Sequence, residues 1–125
     1  MGLFNKEDKP KLSQIDKYKS EISEFLLQGE VIENIYPLII DYLCITSKRI
    51  IFVDKVISLK EPKTTIYSVP YKNIMSVGLE INLKAVVITD ELKIITLGAV
   101  YNLKFLRATG VIIKDIYNEL LGKIL

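Results

Sequence analysis

The chain has 125 residues, with 17 Lys and Arg against 15 Asp and Glu, half of its residues apolar, one Cys, and neither His nor Trp. The near balance of charge argues against nucleic acid as a partner, since each neutralised phosphate needs a cation on a shared face. Without His, the commonest general base and the commonest nitrogen ligand for metals are missing, which disfavours most hydrolase and metal chemistry.

The first ten residues are mostly polar or charged and end in Pro10, which predicts a flexible lead-in over 1–10 to a single domain over 11–125. No secretion signal is recognisable, and the apolar runs are far shorter than the roughly 20 residues of a membrane-spanning helix. We therefore expect a cytoplasmic protein. Cys44 lies in an apolar stretch, which is typical of a buried structural thiol.

An amphipathic helix is predicted over 13–28, with Ser13 as its N-cap and Gly29 at its end. Its apolar residues follow helical spacing: Ile15, Tyr18, Ile22, Phe25 and Leu26. The opposite face mixes acidic and basic residues, whereas a helix lying on an anionic membrane would concentrate Lys and Arg there. The helix is expected to pack on this protein or on a neighbour.

After Gly29 the sequence changes to β-branched and aromatic runs separated by turn residues, which predicts an antiparallel sheet or barrel over 30–106. Seven strands are predicted, near 31–36, 40–46, 49–54, 63–69, 73–81, 92–97 and 100–106. The segment 84–89 either continues the strand before it or forms an added strand, and so short a run does not separate the two.

The last strand alternates most clearly, with Tyr101, Leu103 and Phe105 on one face. Apolar residues then recur at helical spacing in a C-terminal helix predicted over 110–123. The order helix, seven strands, helix indicates an α+β fold, and a small barrel capped by the last helix fits it best.

Two sequence blocks carry a family resemblance: the run from Thr46 to Lys55 and the run from Ser68 to Ile74. Together with the approach over 29–41, the block 91–94 and the terminal helix, they resemble the bacterial pleckstrin-homology domain family over 29–122. The resemblance implies a seven-stranded, strongly bent antiparallel sheet closed by a C-terminal helix. It also implies an oligomer-forming, non-catalytic domain and supplies no activity of its own.

The turn between the first two strands departs from the lipid-binding eukaryotic relatives of that family. Those relatives carry Lys and Arg there, whereas this chain has the stretch 36–40, Tyr-Pro-Leu-Ile-Ile, without a basic residue. A phosphoinositide site of the familiar kind is therefore not expected.

Both faces of the second and third predicted strands are apolar, although an antiparallel sheet usually leaves one face to water. Either the chain itself covers the extra face, with the N-terminal helix packed on it or the strand ends lying under a loop, or a second subunit covers it. The second interpretation predicts an interface from these strands and from the preceding turn. Its candidate residues are Leu38, Ile39, Leu43, Ile45, Ile51, Phe52 and Val53. Leu38 and Ile39 either insert into a partner or begin a strand.

Lys48, Arg49 and Lys72 are the candidates for an anion-binding patch, although charges at hairpin turns usually keep sheet edges soluble. The acidic pairs lie in the tail and in a turn, and the glycines form no phosphate loop, so neither an enzyme nor a bound cofactor is predicted.

The sequence therefore predicts a non-catalytic binding or scaffold module that forms homo-oligomers and takes a protein or peptide partner. The alternative is a peripheral adaptor in which the basic patch holds the protein weakly on an anionic membrane.

Overall fold

The computed structural model describes residues 14–39, 41–56, 60–84, 86, 88–107 and 111–125. Within these ranges the chain forms two α-helices, a 3-10 turn and seven strands. The predicted lead-in over 1–10 lies outside them.

The first helix, α1, covers residues 14–23 and so ends before the predicted 28. Its end is tightened because the Phe25 N–H donates to the Ile22 carbonyl at 2.9 Å, three residues back rather than four. Gly29 then takes a positive φ of 80°, a conformation that glycine adopts without steric cost. The chain thereby leaves α1 and enters the first strand.

The first four strands form one antiparallel sheet, the first sheet, in chain order. They are β1 (Ile32–Pro37), β2 (Tyr42–Thr46), β3 (Arg49–Val56) and β4 (Lys63–Pro70). In the β2–β3 hairpin, Leu43 lies opposite Phe52 and Cys44 opposite Ile51. Residues on one strand therefore alternate between the two faces of this sheet.

Three further strands form the second sheet, also antiparallel and in chain order. They are β5 (Ile74–Glu80), β6 (Thr89–Thr96) and β7 (Val100–Leu106). A 3-10 turn over Tyr71–Asn73 joins the two sheets, and the last helix, α2 (Ile113–Ile124), follows β7.

The main core lies between the two sheets and under α2. Leu43, Ile45, Ile50 and Phe52 supply it from the first sheet, and Leu92, Ile94, Leu103 and Phe105 supply it from the second. The helix α2 adds Ile113, Ile116 and Leu120, one per turn on its buried face. Glu119 on the same helix accepts hydrogen bonds from Tyr36 at 2.7 Å and Asn34 at 2.8 Å, which fixes α2 to β1.

A second cluster lies on the outer face of the first sheet, beneath α1. Its buried members are Tyr18, Ile22, Tyr42, Cys44, Ile51 and Val53. Since both faces of β2 and β3 are covered from within the chain, all five residues of β2 are buried. The alternative in which the N-terminal helix covers the two-sided hairpin is the one that the structure shows.

The predicted α+β class is confirmed, as are the seven strands between two helices. The sheet is not one continuous barrel: it divides between β4 and β5 into a two-sheet sandwich. Pro70 ends β4 without a backbone N–H, and the 3-10 turn redirects the chain at that point. In the ambiguous segment 84–89, residues 84, 86 and 88 are not in a strand, and β6 begins at Thr89.

Candidate binding groove

The two sheets splay apart where β4 and β7 approach one another. Each is the outermost strand of its own sheet, and the two are not paired. Tyr67 of β4 lies directly opposite the core residue Phe52, which places it on the inner face, yet 38% of its surface is exposed. An inner-face residue stays exposed only where the second sheet does not reach it, so the sandwich is open at this corner.

A groove of about 420 Å³ occupies the open corner. This volume lies within the range of small-ligand sites in proteins. The groove is lined mainly by Leu38, Ile39, Phe52, Tyr67, Val100 and Tyr101. Its walls thus come from the β1–β2 turn, β3, β4 and β7.

Three aromatic rings form the floor of the groove. The Phe52 ring stacks on Tyr67 with 5.3 Å between centroids, and its edge contact with Tyr101 has a centroid distance of 5.0 Å. Tyr67 and Tyr101 are 5.9 Å apart across the corner. Rings fixed in this way present apolar faces with little rotational freedom left to lose when a ligand binds.

The β1–β2 turn closes one end of the groove and is held to the second sheet. The Leu38 N–H donates to the Asp41 carbonyl at 2.9 Å, and Asp41 has a positive φ of 66°, which Asp tolerates better than most residues. The next amide, that of Ile39, donates to the Lys104 carbonyl on β7 at 3.0 Å. This bond couples the first sheet to the edge of the second.

The predicted interface residues separate into two groups. Five of them are buried inside this chain: Leu43, Ile45, Ile51, Phe52 and Val53. Of these, Phe52 and Val53 still border the groove, whereas the other three have no exposed surface. The second sheet covers those on the inner face, and α1 covers those on the outer face. Leu38 and Ile39 instead line the groove, with Ile39 41% exposed, and a role for them in self-association stays a prediction.

Arg49 is not available for the predicted anion-binding patch, because it is held in an internal ion pair. Its Nε lies 2.9 Å from one carboxylate oxygen of Glu30, and its Nη2 lies 3.0 Å from the other. The same Nη2 donates to the Phe25 carbonyl at 2.7 Å. The guanidinium therefore joins the segment after α1 to the start of β3, and its charge is already balanced.

The Glu30 carboxylate has no exposed side-chain surface. Burial by itself would raise its pKa, but hydrogen bonds from the Arg49 side chain, the Leu27 amide and the Thr46 hydroxyl outweigh that effect and lower the pKa to about 2. The carboxylate thus stays ionised over the ordinary pH range. This network is structural, and it is not among the features predicted from the sequence.

Lys48 and Lys72 are exposed near the end of the first sheet where Arg49 lies opposite Pro70. Lys48 lies in the β2–β3 turn and Lys72 in the 3-10 turn. Their role as an anion-binding patch stays a prediction. The patch now consists of these two lysines, without Arg49.

The buried thiol of Cys44 lies in the cluster beneath α1, as the sequence predicted. Burial raises its pKa to about 11, and the nearby Glu30 charge acts in the same direction. Little thiolate exists at neutral pH, so the sulfur is a packing group rather than a nucleophile.

Three groove residues, Tyr67, Val100 and Tyr101, are not among the site residues predicted from the sequence. The alternation of β7 correctly assigned Tyr101 to the same face as Leu103. Nothing in that alternation shows that the sheets separate beside it, because the opening depends on how the two sheets cross.

Comparison with known proteins places this arrangement in a family. The model of a family described as bacterial PH domain matches residues 4–124. The chain belongs to the bacterial PH domain family. The resemblance carried by the Thr46–Lys55 and Ser68–Ile74 runs is thereby confirmed.

Solved structures agree with this assignment. The crystal structure of a pleckstrin-homology domain from Shewanella amazonensis SB2B is similar with a TM-score of 0.71 and 26% identity, covering 88% of this chain and 87% of that one. A DUF1696 family protein with a pleckstrin-homology domain from Shewanella loihica PV-4 is similar with a TM-score of 0.70 and 25% identity, covering 88% of this chain and 92% of that one. The predicted PH-like fold is confirmed.

Two curated relatives come from Bacillus subtilis (strain 168), and both are called uncharacterized. YozO is 41% identical over 61 residues, which are 48% of this chain and 51% of YozO. YjqA is 37% identical over 62 residues, which are 50% of this chain and 49% of YjqA. The matched part of this PH domain thus spans about half the length of each relative. Within the described residues, no helix has the length and apolar character needed to cross a membrane.

Proposed function

We propose that this bacterial PH domain is a non-catalytic binding module that holds an apolar group of its partner in the groove between β4 and β7. The single observation that supports this most is the exposure of Tyr67 on the inner face of the sandwich. Exposed apolar surface lined by fixed rings is costly in water and is typical of a binding site.

The chemistry of the groove suits binding better than bond breaking. Its walls are aliphatic and aromatic, and the polar side chains that line it beside the tyrosines are Asn102 and Lys104, at one edge. Throughout the described chain, every buried side-chain nitrogen or oxygen already has a hydrogen-bond partner. Satisfied buried groups stabilise a fold, and they leave no spare acid or base inside it.

An apolar fluorescent probe, 1-anilinonaphthalene-8-sulfonate, tests the proposal. Val100 is 56% exposed at the groove, so Val100→Glu is expected to reduce the probe's fluorescence enhancement at least several-fold without unfolding the protein. Met75→Glu is the matched control, because Met75 is 65% exposed on β5, at the opposite edge of the second sheet. Equal enhancement in both variants and the parent protein would refute the proposal.

Self-association enters this proposal only through the groove, because the hairpin that first suggested it is covered from within. Light scattering coupled to size-exclusion chromatography measures the solution mass over a range of concentrations. A multimer that Ile39→Asp converts to monomer supports contact between copies through the groove. The membrane-adaptor alternative has less support, since Arg49 is occupied by Glu30 and only Lys48 and Lys72 of its three cations remain exposed.

A further inference from the structure

The outer edge of β7 borders the groove, and the register of β7 with β6 determines which of its backbone groups face outward. In an antiparallel pair, alternate residues direct both backbone groups toward the partner strand. Two bonds at the ends of the β6–β7 hairpin determine which residues these are. At one end the Thr96 amide donates to the Ala99 carbonyl, and at the other end the Arg107 amide donates to the Ile88 carbonyl. Because Ile94 lies opposite Tyr101 in this register, Tyr101 and Leu103 are the residues of β7 whose backbone groups bond to β6.

The intervening residues of β7 must then direct their N–H and C=O groups away from β6, toward the groove. The bond from the Ile39 amide to the Lys104 carbonyl confirms this direction independently. By the same alternation, the amides and carbonyls of Val100 and Asn102 point outward. Across the described ranges, Ile39 is the one residue with a backbone hydrogen bond to this outer edge.

An outward-facing strand edge is a template for another extended chain. Here the β1–β2 turn already occupies one position, at Lys104, and the edge continues past it to Asn102 and Val100 beside the aromatic floor. A lipid tail or an apolar small molecule would fill the floor, but it would leave the amides and carbonyls of this edge unpaired. An extended peptide fills the floor with a side chain and also pairs the amides and carbonyls of the edge with its own backbone.

The side chains of an added strand would alternate between two environments. Those on the inner side would meet Phe52, Tyr67 and Tyr101, which favours aromatic or branched apolar residues. Those on the outer side would lie next to the exposed side chains of Asn102 and Lys104. Lys104 is exposed and forms no salt bridge among the described residues, although Glu91 lies opposite it on β6. Its ammonium group is thus available to an acidic side chain of the peptide.

From this geometry we propose that the ligand of the groove is an extended peptide segment that adds to the outer edge of β7, with an apolar side chain on the aromatic floor and an acidic side chain beside Lys104. This rests on the proposed function and specifies its ligand class. Strand addition draws affinity from main-chain bonds and specificity from alternate side chains.

Backbone N-methylation of a peptide tests the main-chain part. The probes are acetylated, amidated heptapeptides that alternate Val, Leu or Phe with Thr and carry one Asp among the Thr positions, labelled for fluorescence anisotropy. The best binder is then remade in two forms, methylated at the amides of the apolar residues or at those of the polar residues. These are matched controls, because an added strand directs only one set toward β7.

One methylated form is expected to lose about tenfold or more in affinity through two missing hydrogen bonds, while the other stays within about threefold of the parent peptide. Equal binding by both forms, or no binding by any peptide, overturns strand addition. The proposed function survives either result if the apolar probe still distinguishes Val100→Glu from Met75→Glu. If it does not, both proposals fail.

Charge reversal tests the acidic part. Lys104→Glu is expected to weaken the peptide about fivefold at low salt and less at high salt, while Lys72→Glu leaves the affinity unchanged. Equal effects of the two variants would overturn recognition of an acidic side chain. A multimer that the peptide does not compete away, but that Val100→Glu dissolves, would assign the edge to a second copy and overturn the peptide proposal.

Discussion

The two faces of the first sheet present the same kind of surface but are covered to different extents. On the outer face, Tyr42 stacks on Tyr18 of α1 with 4.0 Å between ring centroids and is fully buried. On the inner face, Tyr67 stacks on Phe52 at 5.3 Å and stays partly exposed. Both tyrosines have a ring partner, so composition and pairing do not distinguish them. What separates a packing tyrosine from a binding tyrosine is whether a further layer covers it.

The outer face is closed by polar anchors as well as by apolar contact. The Tyr42 hydroxyl donates to Glu21 of α1 at 2.7 Å, and Arg49 bonds the Phe25 carbonyl just after the helix. These bonds fix α1 and the segment that follows it to the first sheet. Among the described residues, the open corner has one comparable polar connection, the backbone bond from Ile39 to Lys104.

The largest effect is expected for Tyr42→Ala. Removing a fully buried aromatic side chain leaves a cavity, which costs about 4 kcal/mol of unfolding free energy. Urea denaturation followed by circular dichroism measures this loss. The conservative Tyr42→Phe removes only the hydrogen bond to Glu21 and is expected to cost about 1 kcal/mol. A loss below 2 kcal/mol for Tyr42→Ala would show that α1 does not close this face in solution.

Arg49→Met is expected to cost about 3 kcal/mol, because it leaves the Glu30 carboxylate buried without its charge partner. The control is Lys93→Met, which breaks an exposed pair with Glu80 whose closest atoms are 3.5 Å apart. That change is expected to cost no more than about 0.5 kcal/mol in the same urea experiment. Similar losses for the two variants would contradict the burial of the Glu30 pair.

The Glu30 pair also predicts an acid dependence of stability. The pKa of Glu30 is about 2 in the folded protein against an ordinary 4.5, so its contribution is fully present above pH 4.5 and is lost as the pH falls toward 2. Between pH 6 and pH 3 the loss is about 2 kcal/mol. The measurement is the difference in unfolding free energy between the protein and Glu30→Gln at each pH. A pH-independent difference would contradict the lowered pKa.

Periodicity predicted most of the fold because strands and helices reflect local alternation. Tyr101, Leu103 and Phe105 share a face as expected, and the terminal helix buries Ile113 and Ile116. The end of α1 was predicted too late, since Phe25 and Leu26 continue the apolar spacing although the chain already bends to bring Glu30 under Arg49. The Arg49–Glu30 pair joins residues that are 19 positions apart, so local spacing does not predict it.

The site was predicted much less well, for a different reason. Apolar alternation on β2 and β3 shows that both faces are covered, but it does not say by what. Local spacing does not separate coverage by α1 from coverage by a second subunit, because contact between a helix and a sheet depends on the packing angle. The exposure of Tyr67 depends on the angle at which the two sheets diverge. That angle is set by strands far apart in the chain, so local alternation does not predict it.

Tyr67→Ala is the counterpart of Tyr42→Ala on the partly exposed inner face. Tyr67→Ala removes a side chain that water already reaches, so no closed cavity forms, and the expected loss of unfolding free energy is about 1–2 kcal/mol, at most half that of Tyr42→Ala. Binding of the apolar probe is expected to respond in the opposite order, with Tyr67→Ala abolishing it and Tyr42→Phe leaving it unchanged. Urea denaturation and probe fluorescence on the same samples measure both quantities. A residue whose removal abolishes binding but leaves the protein folded belongs to a binding site. Unchanged probe binding in Tyr67→Ala would instead show that the open corner is only imperfectly packed and binds nothing.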